Sequence, residues 1–350
     1  MKAATLESKF PLLAVENGCI VSKEADVTVA FRVELPELFS VTGSEYEAVH
    51  SAWHKAVKVL PEYSIVHKQD FFIEEKYRPE TDRDDLSFLS RSFERHFNER
   101  PFLNHFCYLF LTKTTKARSR QESTFSTLCK GRLVPKEIED RETVTRFIEA
   151  VGQFEKIMND SGLVTLRRLT TDEITGTERS AGIVEKYLSL SQHDTTVLKD
   201  IQLNPEEMRI GDDILCLHTL SETYALPGKV ATDSRYERLS TDRSDCRLSF
   251  AAPVGLLLDC NHCYNQYIFI DDHGENLKRF EQTARNMHSL SRYSRSNQIN
   301  KAWIEEYLNE AHSKGLTSVR CHCNVMAWSD DREELRRIKN EVGSQLALME

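Results

Sequence analysis

The sequence predicts an α+β protein of two lobes, each with helices packed on a mainly antiparallel sheet. Three observations carry that expectation. Short apolar or alternating runs, separated by polar turns, read as strands, and stripes of apolar residues at helical spacing follow them. The strands and helices are mixed without the strict β-α-β alternation of a parallel sheet. At 350 residues the chain is long enough for about two domains of roughly 100–200 residues. We expect a first lobe over 1–132, a helical connecting region over 133–212 and a second lobe over 213–350.

Taken in order, Cys19–Ser22 and Val27–Val33 flank the polar turn Lys23–Asp26 and predict a hairpin. Ser44 with Glu47 three residues later reads as a capping box at the start of a helix. Tyr46, Val49, Trp53, Ala56, Val57 and Leu60 then recur at helical spacing, and Pro61 stops the run. Full burial of the large members of that stripe would contribute roughly 1.5–3 kcal/mol each. Tyr63–Ile73 returns as a strand, Glu74–Asp85 is a charged connector, and Leu86–Asn98 is a second helix with Leu86, Leu89, Phe93 and Phe97 at helical spacing. Phe102–Leu111 is an aromatic strand.

Beyond it, Thr112–Gly131 is polar and basic. Lys113, Lys116, Arg118, Arg120, Lys130 and Arg132 stand there against one acid, Glu122. Pro135 opens a long helix to about Asn159, Leu163–Leu169 is a short strand, and Thr171–Leu190 is of mixed helical character. Asp213–Leu220 is another strand, whereas 223–247 carries no assignable pattern. In the second lobe Leu256–Cys260 and Tyr264–Asp271 read as strands, and Asp272 with Glu275 starts a helix. A further helix follows through Ile304, Tyr307, Leu308 and Ala311, then a strand over Ser318–Trp328. Asp330 with Glu333 caps a last helix, whose apolar face is still repeating at Glu350.

The stretch Leu12–Phe72, LLAVENGCIVSKEADVTVAFRVELPELFSVTGSEYEAVHSAWHKAVKVLPEYSIVHKQDFF, resembles the N-terminal region of the TraG family of conjugative-transposon ATPases, in the VirB-four class that powers type IV secretion. DLSFLSRSFERHFNERPFLNHFCYLFLTKTTK at 85–116 and LLLDCNHCYNQYIFIDDHGENLKRFEQTARNMHSLSRYSRSNQINK at 256–301 agree with it. The resemblance covers most of the chain and includes no catalytic motif. It implies a non-catalytic docking and assembly region, cytoplasmic and peripheral to the inner membrane, with inner-membrane conjugation components as partners and ring-shaped oligomers in the full-length protein. It also implies that the chain is cut before a P-loop motor domain, so that ATP and magnesium belong to that domain and this region needs no cofactor.

The formal net charge of −9 argues against a generally basic nucleic-acid binder while leaving room for a local patch. No apolar run approaches the roughly 18 residues needed to cross a bilayer. The first residues, MKAATLESKF, lack the apolar core of a signal peptide. Nine cysteines without scaffold-like spacing fit a reducing compartment.

No phosphate loop is present in the sequence. The only Gly-Lys pair, Gly228–Lys229, has Thr223 where the first glycine belongs and Val230 where the hydroxyl belongs. Ile268-Phe269-Ile270-Asp271-Asp272 imitates a Walker B strand but reads as a strand followed by an aspartate cap. Cys260, Cys263, Cys321 and Cys323 offer four sulfurs that zinc could take, and the same residues also read as small core hydrophobes. Glu47, His50 and His54 share a helix at ligand spacing, equally consistent with a half-buried edge. No nucleophile and base can be paired. The basic stretch 112–132 is the polar feature with functional promise, suited to DNA phosphates, anionic lipid or an acidic partner.

Overall fold

The first strands are set by turn chemistry. β1 (Leu12–Glu16) and β2 (Cys19–Ser22) are joined through Asn17-Gly18, both at positive φ. That is the backbone a two-residue hairpin requires and that Asn-Gly adopts readily. β1 was not foreseen; β2 and β3 (Val27–Glu34) form the expected hairpin. The computed structural model describes residues 10–37, 40–77, 87–115, 141–195, 197–204, 207–219, 230–250, 252–290, 293–316 and 318–347.

Helix α1 (Gly43–Val59) begins two residues before the Ser44–Glu47 box. Thr42 is the cap: its Oγ1 accepts from Glu45 N at 3.4 Å, and its own N donates to Glu45 Oε2 at 2.7 Å. The helix lies on the sheet, but of its apolar stripe only Ala56 and the following Leu60 are fully buried. Val49, Trp53 and Val57 pack against the core while half-buried, Trp53 edge-on to Phe154 at 5.7 Å. The full burial expected of that stripe is therefore corrected: α1 is an edge helix.

β4 (Ser64–Lys76) and β5 (Pro101–Lys113) form a hairpin paired from Ser64↔Lys113 to Lys76↔Pro101, with helix α2 (Phe88–Asn98) in the connection. Helix α3 (Arg141–Asn159) buries Phe147, Ala150, Val151, Phe154 and Met158 and packs on α1. β6 (Thr165–Arg168) joins β3, and Asn159 bonds both backbone groups of Leu166. Short helices α4 (Thr171–Thr175) and α5 (Ile183–Ser189) match the mixed helical stretch. The "connecting" region is thus built into the core.

β7 (Ile201–Leu203), β8 (Met208–Ile210) and β9 (Asp213–Thr219) follow. Within the unassigned stretch β10 (Ser234–Arg235) pairs β11 (Arg247–Leu248). Leu256–Cys260 is not a strand. Helix α6 (Ala252–Leu256) and a turn stand there, with Pro253 in the first turn, where its missing N–H costs nothing. Gly255 lies so close to Tyr264 that a Cβ would meet the ring at 2.7 Å. β12 (His262–Ile270), α7 (His273–Leu290), α8 (Arg295–Lys314), β13 (Val319–Ser329) and α9 (Arg332–Ala347) complete the fold. Asp272 caps α7 as expected, accepting from Glu275 N at 2.9 Å. At α9 the cap is Asp331 rather than Asp330, accepting from Glu333 N at 2.9 Å.

The class is α+β with an antiparallel sheet, but the strands expected in two lobes form one sheet. Its order is β1-β2-β3-β5-β4-β12-β13-β9-β8-β7, with β6 on β3. The join is the ladder between β4 and β12, in register from Ser64↔Ile270 to Phe72↔His262. One face packs on α1 and α3 around Phe31, Leu109 and Phe154, and farther along on α6 and α9 around Tyr264, Val325 and Ile338. The other face packs Phe71, Tyr108, Cys263, Met326 and Trp328 beneath Ile174 and Leu190. No helix among the described residues is long and apolar enough to cross a membrane.

Candidate functional site: an aromatic helix on a projecting hairpin

The β4–β5 hairpin is longer than its neighbours. β12 accompanies β4 only as far as Phe72, and β3 accompanies β5 only as far as Cys107. From Ile73↔Asn104 outward the two strands, among the described residues, pair only with each other, and Asn261 Oδ1 accepts from Glu74 N at 2.7 Å where the ladder from β12 has ended. Helix α2 sits at the tip of this arm. Ser87 caps it, its Oγ accepting from Ser90 N at 3.2 Å, and Arg95 pairs with Glu99 at 2.7 Å.

None of the residues of α2 is buried. Leu89, Phe93 and Phe97 recur every fourth position on one face and are 77%, 59% and 43% exposed; Phe88 reaches 81% and Phe102, on β5, 47%. Phe93 and Phe97 lean together at 4.5 Å, and Tyr77 meets Phe97 edge-on at 6.3 Å. By the helical period Arg91 and Arg95 lie opposite the apolar stripe. Water is a poor environment for so many adjacent rings, and patches of this kind mark contact surfaces.

At the root of the arm the sheet holds a polar cluster. Lys68 and Asp70 stand two apart on one face of β4; Asp70 is opposite Cys107 of β5, and His105 lies two residues further along that strand, opposite Phe72. Lys68 Nζ bonds Asp70 Oδ2, and His105 Nε2 lies 2.9 Å from Asp70 Oδ1. Burial alone would raise the Asp70 carboxyl, but the Lys68 ammonium and the His105 bond hold it well below the usual carboxylate range. Burial pushes the Cys107 thiol far above its ordinary value. Asp70, His105 and Cys107 bring their ligand atoms within 4.8 Å of one another. Yet the Lys68 ammonium already neutralises the carboxylate and the thiol is protonated, so the cluster reads as a structural ion network. Phe72 stacks between His105 at 4.6 Å and His262 at 4.7 Å. His262, fully buried between the carbonyls of Cys260 at 2.8 Å and Gly255 at 2.7 Å, ties α6 to the sheet.

The four-cysteine zinc alternative is not assembled. Cys260 lies in the core under α9, Cys263 packs on the opposite face of the sheet, and Cys321 is exposed. Burial raises the thiols of Cys260, Cys263 and Cys323, Cys260 to about 12. Glu47, His50 and His54 are exposed on α1 and join no group of potential metal ligands among the described residues. Asp271 is buried and grips Arg320 through Nε at 2.6 Å and Nη2 at 3.1 Å, while Asp272 caps α7. The Walker-like segment is a strand end.

Of the basic stretch, Lys116, Arg118, Arg120, Lys130 and Arg132 lie outside the described residues, as does Gly228–Lys229. Lys113 is corrected. It belongs to β5, buried opposite Ser64, where its ammonium donates to Glu62 O and lies 5.4 Å from the centre of the Tyr63 ring. It is a structural lysine rather than a contact cation. Two features escaped the sequence. The stripe of α2 was legible but not its exposure, because periodicity marks a face and not its depth. The Lys68–Asp70 pair was signalled by two charges two residues apart within an apolar strand.

Fold and site together define an α+β protein with a large antiparallel sheet, a separate two-stranded ribbon and an exposed aromatic arm among the described residues. Residues 1–51, covering β1 to β3 and the first half of α1, match DUF3875, a domain of unknown function described from a B. Theta gene. No curated protein matches the chain.

Proposed function

We propose that this chain is the non-catalytic docking and assembly region of a conjugative DNA-transfer ATPase of the type IV secretion class. The observation that carries the reading is the agreement of the three segments with that family, two of which meet in the fold. Leu12–Phe72 supplies β1 to β3 and most of β4, and 256–301 supplies β12 and α7; β4 and β12 are neighbours. The absence of a G-x-x-x-x-G-K-[ST] sequence supports a role without ATP chemistry in this chain. So does the engagement of Asp271 and Asp272 in a salt bridge and a helix cap. The exposed arm supports docking. The partners in this reading are inner-membrane components of the conjugation apparatus, and ATP and magnesium act in the motor domain of the full-length protein.

Expressed in a donor cell beside the native apparatus, the chain should occupy docking sites and depress transfer frequency, and it should co-purify with inner-membrane components. Calorimetry of the purified chain with magnesium-ATP should give no saturable heat. Undiminished transfer without co-purification, or a micromolar nucleotide site, would sink the proposal.

A further inference from the structure

We infer that the α7–α8 helical hairpin is a dimerisation element, in which the outer face of α8 packs antiparallel on the same face of a second copy of this chain. The inference does not rest on the docking reading, and a twofold contact of this kind closes at two copies. α7 and α8 pack chiefly on each other, with Phe280 edge-on to Tyr307 at 5.2 Å. Among the described residues their side chains take no part in the cores that hold the sheet. α8 turns Ile304, Tyr307, Leu308 and Ala311 toward α7, and the positions on its far side are exposed. Ile299, at 43%, and Trp303, at 66%, stand one turn apart on that far side.

What selects a second copy is the order of charges along this face. By the helical period Arg295, Ile299, Trp303, Glu306 and Glu310 share one sector, so it reads base, apolar pair, acids. Between Glu281 and Glu305 the sequence holds no acid. Arg295 stands at the positive end of the helix dipole with no acid in the first turn, a placement that α8 on its own disfavours. Lys301 pairs with Glu305 at 3.3 Å and Lys314 with Glu310 at 2.9 Å, whereas Arg295 and Glu306 form no ion pair among the described residues. Reversed end for end, such a face is complementary to itself. A twofold axis crossing α8 at the level of Lys301 sets Ile299 of each copy on Trp303 of the other. The same axis brings each Arg295 beside the other copy's Glu306. Parallel pairing would oppose arginine to arginine, and a surface of one charge sign, lipid or nucleic acid, would repel one end of the stripe. A single helix face covers less than the roughly 800 Å² per partner of a standard interface, so the dimer is a weak one that forms at micromolar concentrations.

The test is sedimentation equilibrium of the purified chain across micromolar concentrations. The wild type should show a reversible equilibrium between monomer and dimer. The I299S/W303S double variant should raise the dissociation constant by roughly tenfold or more, with unchanged thermal melting because neither side chain is buried. R295E and E306R should each weaken the dimer several-fold, since either change sets like charges together at both symmetric contacts, and the loss should shrink as salt is added. The R295E/E306R chain should recover the dimer. An equimolar mixture of R295E and E306R should form the mixed dimer in preference to either homodimer, because both of its contacts then pair opposite charges. A wild type that remains monomeric overturns the inference, as does a dimer that survives I299S/W303S. So does a charge pair that shows no rescue in the double variant or the mixture. A dimer dispersed by F93S/F97S but not by I299S/W303S overturns it too, and moves the contact to the β4–β5 arm.

Discussion

At the scale of single residues, acid should loosen the sheet in two distinct windows. His67, opposite Tyr267 and stacked on it at 4.2 Å, is pushed down from 6.5 to about 4 by burial. The unfolded chain therefore takes up a proton that the folded chain refuses. Stability is complete above about pH 6.5 and falls as pH drops toward 4, by at most about 3 kcal/mol. Asp70 acts lower still: its depressed carboxyl contributes above the ordinary carboxylate range and is lost only on stronger acidification. Urea melts across pH should resolve the upper window, and His67→Phe should flatten it; an unaltered slope would place the proton elsewhere. Asp70→Asn leaves Lys68 without its carboxylate partner and should cost about 3–5 kcal/mol at neutral pH. These residues were half legible. Lys68 and Asp70 stand two apart and must share a face, but His105 and Cys107 come from the partner strand, and only the register brings them together.

At the scale of elements, local chemistry set the helices and their caps closely but not uniquely. Thr42-x-x-Glu45 and Ser44-x-x-Glu47 are overlapping capping boxes, and the chain uses the first, with buried Val41 just ahead of the cap. Thr42→Ala should therefore cost about 1 kcal/mol in thermal or chemical melts, while Ser44→Ala should be near neutral; the opposite ranking would move the cap. The stripes of α1 and α2 look alike on paper. One rests on Phe154 and the other faces solvent, because the fourfold repeat of Phe and Leu records orientation without saying what lies opposite. Leu256–Cys260 failed for a related reason: a short apolar run does not distinguish a strand from a buried helical turn.

Across the whole molecule, most strands of both predicted lobes were readable individually, β1 and the β10–β11 pair excepted, and the antiparallel character with them. Their merger into one sheet was not, since nothing in β4 itself names β12 as its neighbour. The seam has energetic consequences. Phe71 and Tyr108 from the first part share a core with Cys263, Met326 and Trp328 from the last, so neither half closes its own interior. Residues 1–132 and 213–350 produced separately should fail to give sharp melting transitions, and the full chain should unfold in one transition seen alike by far-ultraviolet dichroism and tryptophan fluorescence. Two well-separated transitions, or a stable isolated half, would restore independent lobes.

That seam also bears on how the protein is made. Gln69 and its partner Asn265 are 196 positions apart. At roughly 5–20 residues per second of translation, β4 waits about 10–40 s for the strand that will cover it. Through that interval one edge of the β4–β5 hairpin is open to any other extended chain. Nascent chains halted before residue 260 should then be held by ribosome-associated chaperones and cut readily by protease, and both behaviours should cease once β12 has left the exit tunnel.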